Sequence, residues 1–240
     1  HHRLVGSEMC IRDRDYYLTQ AGEKLANQVA DVGGILGGVP FMSSDVDNQL
    51  DRLFSLAKER QLDLDLHTDE NGDPNSRVLH KVAEKAISYQ FPGKIICGHC
   101  CSLAVQTPEK VTETLKLVKE AGISIVSLPM CNLYLQNRQD NYTPRWRGVT
   151  LLHELKQQGI SVAIASDKCR ETVFGFGDHD VLEVFNMSVR IAHLDMPYGD
   201  WPCAVSKTPA DLIGLPNVGR IRVGLPVSYT HLRAHETVMN

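Results

Sequence analysis

The sequence predicts an α/β fold in which the short strands of a parallel sheet alternate with longer helices. Strand-like apolar segments begin near residues 29, 62, 94, 124 and 161 of the 240-residue chain. Each is followed by a segment with apolar residues at helical spacing, and a repeat of roughly 30–37 residues is typical of strand–helix units. A complete (β/α)8 barrel usually needs roughly 250 residues. Periodicity alone therefore leaves an open doubly wound sheet and a truncated barrel as alternatives.

Hydrophobic spacing and end signals place the individual elements. The helix predicted at 107–121 opens with Pro108 and is closed by Gly122, the usual order of these two residues at helix ends. The predicted strands are 29–38 (running into a glycine-rich turn), 62–67, 94–99, 124–129 and 161–166, and the predicted helices are 45–60, 76–89, 107–121, 148–158, 180–194 and 209–215.

Composition excludes several classes of protein. The net charge of -4 leaves no basic footprint for nucleic acid. The sequence has no apolar run long enough to span a membrane and no secretory signal pattern. Seven cysteines, an odd number, argue against a disulfide framework and favour a cytoplasmic protein. Cys97 and Cys100 have CxxC spacing, but without a second pair they do not predict a structural zinc site.

The two ends differ from the rest of the chain. Residues 1–14 show no helical or strand period and resemble translated sequencing-library adapter, and residues 226–240 resemble the matching adapter. We therefore expect one native domain at 15–225, with both ends excluded from fold reasoning, as tags are.

Polar residues follow three of the predicted strands. His67 and Glu70 follow the second strand, His99 ends the third, and Asp167 ends the fifth. The carboxyl ends of parallel strands are where barrels and open α/β sheets alike place their chemistry. We expect His67, His99 and Asp167 to form a site for one divalent metal ion, zinc or iron, since imidazole and carboxylate ligands suit both. His67 is the expected ligand, whereas His99 is a second ligand or an oxyanion-side donor, and Asp167 is a ligand or the residue that holds the attacking water. Glu70, His99 and Asp167 are the predicted catalytic residues, with Glu70 as a proton shuttle.

The motifs, taken in order, resemble the amidohydrolase superfamily and within it the bacterial cytosine deaminase type. The resemblance rests on five segments: Leu66-His-Thr-Asp-Glu70, Cys97-Gly-His-Cys100, Pro129-Met-Cys-Asn-Leu-Tyr-Leu-Gln136, Arg145-Trp-Arg-Gly148 and Ala165-Ser-Asp167. It implies a metal ligand at His67, an acid/base at Glu70, a histidine beside the metal at His99 and a metal aspartate at Asp167. It also implies a partial TIM-like (β/α)8 barrel of the metal-dependent hydrolase type.

In that family these residues lie on strands five, six and eight of the barrel. The five visible strands would then be strands four to eight, and the His-x-His pair of strand one would be missing. We therefore expect the chain as written to be an inactive fragment of a larger enzyme.

The residue after Asp167 affects the substrate prediction. Cytosine deaminases are expected to carry a second acid there, whereas this chain has Lys168, and an ammonium group can only donate hydrogen bonds. Asn132, Lys168 and Phe174 are the predicted substrate-binding residues.

The leading hypothesis is a hydrolytic deaminase of cytosine or a related heterocyclic amine. Two alternatives stay open: an amidohydrolase acting on another non-peptide C–N bond, such as a cyclic amide, and a small non-catalytic α/β binding protein. The expected partner is a small heterocyclic amine, without nucleic acid or membrane. Homo-oligomer formation by the full-length enzyme stays open.

Overall fold

The computed structural model describes residues 16–225, so the adapter-like segments predicted at 1–14 and 226–240 lie outside the described residues. Within 16–225, five parallel strands form one sheet in the order β1-β2-β3-β4-β5. The strands are β1 (Leu36–Gly38), β2 (Leu64–Thr68), β3 (Ile95–His99), β4 (Ser124–Ser127) and β5 (Val162–Ile164). The helices are α1 (Gln20–Asp31), α2 (Val46–Glu59), α3 (Val78–Ser88), α4 (Pro108–Glu120), α5 (Pro129–Leu135), α6 (Leu152–Gln157), α7 (Val181–Ala192) and α8 (Lys207–Leu212).

Every connection between neighbouring strands passes through at least one helix, as parallel pairing requires. The helices cover the sheet with apolar faces. In α2, Leu50, Leu53, Phe54 and Ala57 are all buried, and the Phe54 ring lies 5.2 Å from that of Phe91, centroid to centroid. This arrangement confirms the predicted alternation of strands and helices.

The strand predicted at 29–38 is wrong in its first half. Val29 lies on α1, and only Leu36–Gly38 pairs with β2. Gly22, Ala26 and Val29 are the buried residues of α1; their spacing of four and three places them on one helical face. The helix gives way at Gly33, whose φ of +63° suits a residue without a side chain.

Two other boundaries also differ from the prediction. The strand predicted at 124–129 ends at Ser127, and Pro129 begins α5 instead of ending the strand. Proline is favoured at the first helical position because its φ is already helical. Asn132, one of the predicted substrate-binding residues, therefore lies on this helix. The helix predicted at 148–158 begins only at Leu152.

The register of the sheet brings the site together. His67 is level with Gly98, and Thr68 with His99. Alternation along β2 buries Leu64 and Leu66 while Asp65 and His67 face the opposite side, where they line a cavity of about 310 Å³. None of the helices in 16–225 is long and apolar enough to cross a membrane.

Candidate active site

The carboxyl ends of β2 and β3 place three titratable side chains together. His67, Glu70 and His99 each offer one ligand atom, and these atoms lie within 4.8 Å of one another. His67 and Glu70 belong to the end of β2, and His99 is the last residue of β3. Their convergence is what the strand-end prediction required.

The imidazole rings of His67 and His99 approach each other with one nitrogen of each ring in contact. His67 Nδ1 lies 2.9 Å from His99 Nε2. Two nitrogens bound to one tetrahedral zinc at about 2.0–2.1 Å would be separated by roughly 3.3 Å, which is close to the spacing seen here. This pair can therefore share a proton or, after a small shift, a cation.

Glu70 and Asn132 lie on the other side of the His99 ring. Glu70 Oε1 is 3.3 Å from His99 Nδ1. The Asn132 amide donates to Glu70 Oε1 at 3.2 Å and lies 3.1 Å from His99 Nδ1. Asn132 is only 2% exposed, so its buried amide connects the buried His99 ring to the partly exposed Glu70 carboxylate.

Burial sets the proton affinities of this group. Burial, and then the nearby Asp167 carboxylate, raise the pKa of Glu70 to about 7, while Lys168 and Asn132 oppose the increase. Burial lowers the pKa of His99 to about 4, with Asp167 acting in the opposite direction. At neutral pH, His99 is therefore neutral, the form that ligates metals, and Glu70 has access to both protonation states.

Asp167 approaches the site from the end of β5. It lies outside the 4.8 Å group found among the described residues, but it lines the same cavity as His67. Its Oδ2 atom is buried without a hydrogen-bond partner. A buried carboxylate oxygen without a donor calls for an explanation, and a cation is one that fits.

Left-handed backbone occurs at the ends of all three strands that supply the site. Asp69, His99 and Asp167 have φ values of +51°, +69° and +67°. Non-glycine residues in this region cost about 1–3 kcal/mol each and often occur at functional sites. These left-handed residues turn the chain sharply at the ends of the strands that carry the site.

The other predicted substrate contacts have different environments. Lys168 pairs with Glu171 at 3.2 Å; burial opposes the charge, but the Glu171 hydrogen bond and Asp167 leave the pKa of Lys168 raised. Phe174 is 2% exposed and packs against Tyr134 and Phe176. Its assignment as a substrate contact stays a prediction.

Sequence reasoning missed several residues that hold the site. Gln136 donates to the Glu70 backbone carbonyl at 3.3 Å. Gly148, at φ +72°, leaves room for the Gln136 side chain, with which a Cβ would collide. Trp146 packs on Gly72 so closely that a Cβ there would lie 2.9 Å from Cζ3. The signal was present in the Arg145–Gly148 motif, but its partners are far away in sequence.

The CxxC cysteines take no direct part in this cluster. Cys97 and Cys100 are free and buried, and burial raises the pKa of both thiols. Buried thiols of raised pKa are chemically unreactive, because the thiolate is the form that attacks electrophiles and binds metals. The cytoplasmic location inferred from cysteine usage stays a prediction.

Together, the parallel α/β architecture and the imidazole–carboxylate edge are typical of metal-dependent hydrolases of the barrel class. The chain belongs to the amidohydrolase family, whose model matches residues 18–238. This confirms the family predicted from the motifs.

Two curated relatives are similar to this chain in sequence. The chain is 48% identical over 202 residues to a pterin deaminase of Rhizobium rhizogenes (strain K84), covering 84% of this chain and 46% of the relative. It is 26% identical over 171 residues to an N-isopropylammelide isopropyl amidohydrolase of Pseudomonas sp. (strain ADP), covering 70% of this chain and 39% of the relative. The chain thus spans less than half the length of these curated relatives.

Solved structures confirm the fold. 5-Methylcytosine deaminase from Klebsiella pneumoniae, liganded with phosphonocytosine, aligns with a TM-score of 0.78 and 26% identity, over 91% of this chain and 54% of that chain. Guanine deaminase from C. acetobutylicum aligns with a TM-score of 0.58 at 16% identity, over 86% and 50% of the two chains, and supports the fold alone. The five-stranded sheet is therefore a partial TIM-like barrel, as predicted.

Proposed function

We propose that the whole protein is a metal-dependent hydrolytic deaminase of an amino-substituted nitrogen heterocycle. The observation that carries the proposal is the group of His67, Glu70 and His99 within 4.8 Å, beside a buried Asp167 oxygen that has no donor. In the reaction, water adds to the ring carbon that bears the amino group, the C–N bond breaks, and ammonia leaves as the ring gains an oxo group.

The donor set fits one divalent metal ion, zinc or iron. His67 and His99 would supply imidazole nitrogens and Asp167 its Oδ2 atom, while Glu70 lies within reach as a further ligand or as the acid/base. When bound, such an ion activates water for attack at neutral pH. Metal analysis of the whole protein, purified without added metal, would distinguish zinc from iron.

Glu70 is the residue we assign to proton transfer. A carboxyl group whose pKa is near 7 can both take a proton from water and give it to a leaving amine at neutral pH. Asn132 holds the reacting oxygen of Glu70 in place through a 3.2 Å hydrogen bond. His99, neutral at this pH, can orient either the attacking water or the developing oxo group.

The substrate favoured by the comparisons is a bicyclic amino-oxo heterocycle of the pterin type, ahead of cytosine. The relative named as a pterin deaminase is 48% identical, against 26% for the 5-methylcytosine deaminase structure. Lys168 is consistent with this order, because an ammonium group can only donate hydrogen bonds and the pterin ring system has more oxo and nitrogen acceptors than cytosine.

Ammonia release by the whole protein tests the proposal. We expect turnover of pterin, with weaker or no turnover of cytosine and guanine, and loss of turnover in a Glu70→Gln variant. Preference for cytosine would keep the reaction but overturn the pterin assignment. Release of isopropylamine from N-isopropylammelide, without ammonia from any of the three rings, would overturn deamination in favour of hydrolysis of another C–N bond.

A further inference from the structure

A buried serine connects the loops that carry the two central residues of the site. Ser102 lies three residues after His99, in the short 3₁₀ helix Cys101–Val105, and is 0% exposed. Its partners belong to the loop after β2, more than 30 positions earlier in the chain. It is too deeply buried to contact a substrate and carries no charge.

The hydrogen bonds of Ser102 reach the backbone on both sides of Glu70. Its backbone N–H donates to the carbonyl of Asp69 at 3.1 Å, and its hydroxyl donates to the carbonyl of Asn71 at 2.8 Å. A hydroxyl has one proton, and the Asn71 carbonyl is the nearest of its three acceptors; Asn71 Oδ1 lies at 3.1 Å and the Asp69 carbonyl at 3.2 Å. Glu70 is therefore held between two residues fastened to the loop of His99.

The loop after β2 is also fixed to the start of α3, through the side chain of Asp69. The Asp69 carboxylate is 4% exposed and accepts from Ser76 Oγ at 2.6 Å and from the backbone N–H groups of Val78 and Leu79, both at 2.9 Å. Those two N–H groups belong to the first turn of α3, where a carboxylate is stabilised by unpaired donors and by the helix dipole. With Asp69 fixed to α3, the Ser102 contacts hold the backbone on both sides of residue 70, while Asn132 and Gln136 bind Glu70 itself.

We infer that Ser102 is a positioning residue for Glu70, setting the separation between the Glu70 carboxylate and His99. The inference rests on the proposed function in one respect, namely that Glu70 moves the proton. A side-chain substitution at Ser102 removes only the hydroxyl hydrogen bond, because the backbone N–H still donates to the Asp69 carbonyl in any variant except proline.

The test compares Ser102→Ala with Ser188→Ala in the whole protein. Ser188 is also 0% exposed, and its hydroxyl donates to the Val184 carbonyl at 2.7 Å within α7, so this variant removes an equally buried hydroxyl away from the site. For Ser102→Ala we expect kcat to fall about 10-fold with KM within about twofold of wild type, since a misplacement of about 1 Å can cost up to 100-fold. Ser188→Ala should retain both constants. Equal kinetic effects of the two variants would overturn the inference.

A double-mutant cycle separates positioning from general loss of structure. If Ser102 acts through Glu70, Ser102→Ala should lower kcat no further in a Glu70→Gln background. An additive loss in the double variant would show that Ser102 acts on something other than Glu70.

Crystal structures of wild type and Ser102→Ala test the positioning role without an activity measurement. In the variant we expect the distance from Glu70 Oε1 to His99 Nδ1 to exceed the present 3.3 Å by more than about 0.5 Å. A distance unchanged within about 0.5 Å, the tolerance of a productive site, would refute the inference. If wild type releases no ammonia from any heterocycle, the proposed function fails and these structures still decide the positioning role.

Discussion

At the scale of single residues, Glu70 combines the properties that an acid/base requires. Its side chain is 32% exposed, so a substrate can reach it, and its pKa of about 7 permits both protonation states near neutral pH. Asn132 and His99 fix the carboxylate oxygen from two directions. Lys168 is the neighbour that distinguishes this site from the predicted cytosine deaminase pattern.

Glu70→Gln in the whole protein should lower kcat by about 10²- to 10⁴-fold, the range for lost acid/base catalysis. The amide is nearly the same size and retains an oxygen that can accept from Asn132. Metal content, measured by elemental analysis, should equal that of wild type. Loss of the metal together with activity would mean that Glu70 is a ligand and not the proton shuttle.

Lys168→Met should reduce kcat/KM for pterin by about 10- to 100-fold, because a hydrogen bond from a charged donor contributes about 1.5–3 kcal/mol. The effect on cytosine, with fewer ring acceptors, should be smaller. Lys58→Met serves as the control, since Lys58 is an exposed lysine of α2 that donates to the Tyr89 carbonyl. An equal loss for both substrates would contradict a role in selecting the ring.

At the scale of elements, α3 is held both by the site and by its neighbour α4. The Asp69 carboxylate accepts hydrogen bonds from the N–H groups of its first turn. His80 lies 3.2 Å from Thr114 Oγ1 of α4 and 2.9 Å from an Arg77 nitrogen. His80 is 8% exposed. Burial, and then the Arg77 charge, lower its pKa below the usual 6.5, with Glu84 and Glu113 opposing.

The lowered pKa of His80 predicts a loss of stability on acidification. Below pH 6.5 the unfolded chain binds a proton at His80 more readily than the folded chain does. The free energy of unfolding therefore falls as pH falls, and the contribution of His80 is fully present only above that pH. Urea unfolding at about pH 7.5 and about pH 5.5 measures the change. His80→Gln should show a smaller decrease between the two pH values, whereas an identical decrease would assign the effect to other groups.

At the scale of the whole molecule, the candidate metal ligands connect strands that are distant in sequence. His67 and His99 lie at the carboxyl ends of β2 and β3, Asp167 follows β5, and Asn132 from α5 contacts His99. A cation held by this set would bind the folded state alone and would stabilise the sheet by mass action.

Zinc added to metal-depleted whole protein should therefore raise the thermal unfolding midpoint. When the free zinc concentration is about 100 times Kd, the free energy of unfolding increases by about 2.7 kcal/mol. His67→Ala should abolish most of the increase, while His193→Ala, at the carboxyl end of α7, should preserve it. An equal rise in both variants would place the metal elsewhere.

The sequence by itself determined the repeated strand–helix units, the family and the residue types at the strand ends. These features are local: periodicity within a dozen residues marks an element, and the polar residues directly follow the apolar runs of β2, β3 and β5. Even so, local patterns misplaced the start of β1 and missed α5, because a helical face at 20–31 and a helix-opening proline at 129 prevailed over strand-like composition.

Only the tertiary structure decided how the site residues contact one another. Asn132 bridges to Glu70 across 62 sequence positions, and Ser102 reaches Asn71 across 31. Such contacts depend on sheet register, on loop hydrogen bonds and on which buried polar groups find partners. None of these is encoded in the spacing of residues along one segment, because each depends on two segments that meet only after the chain has folded.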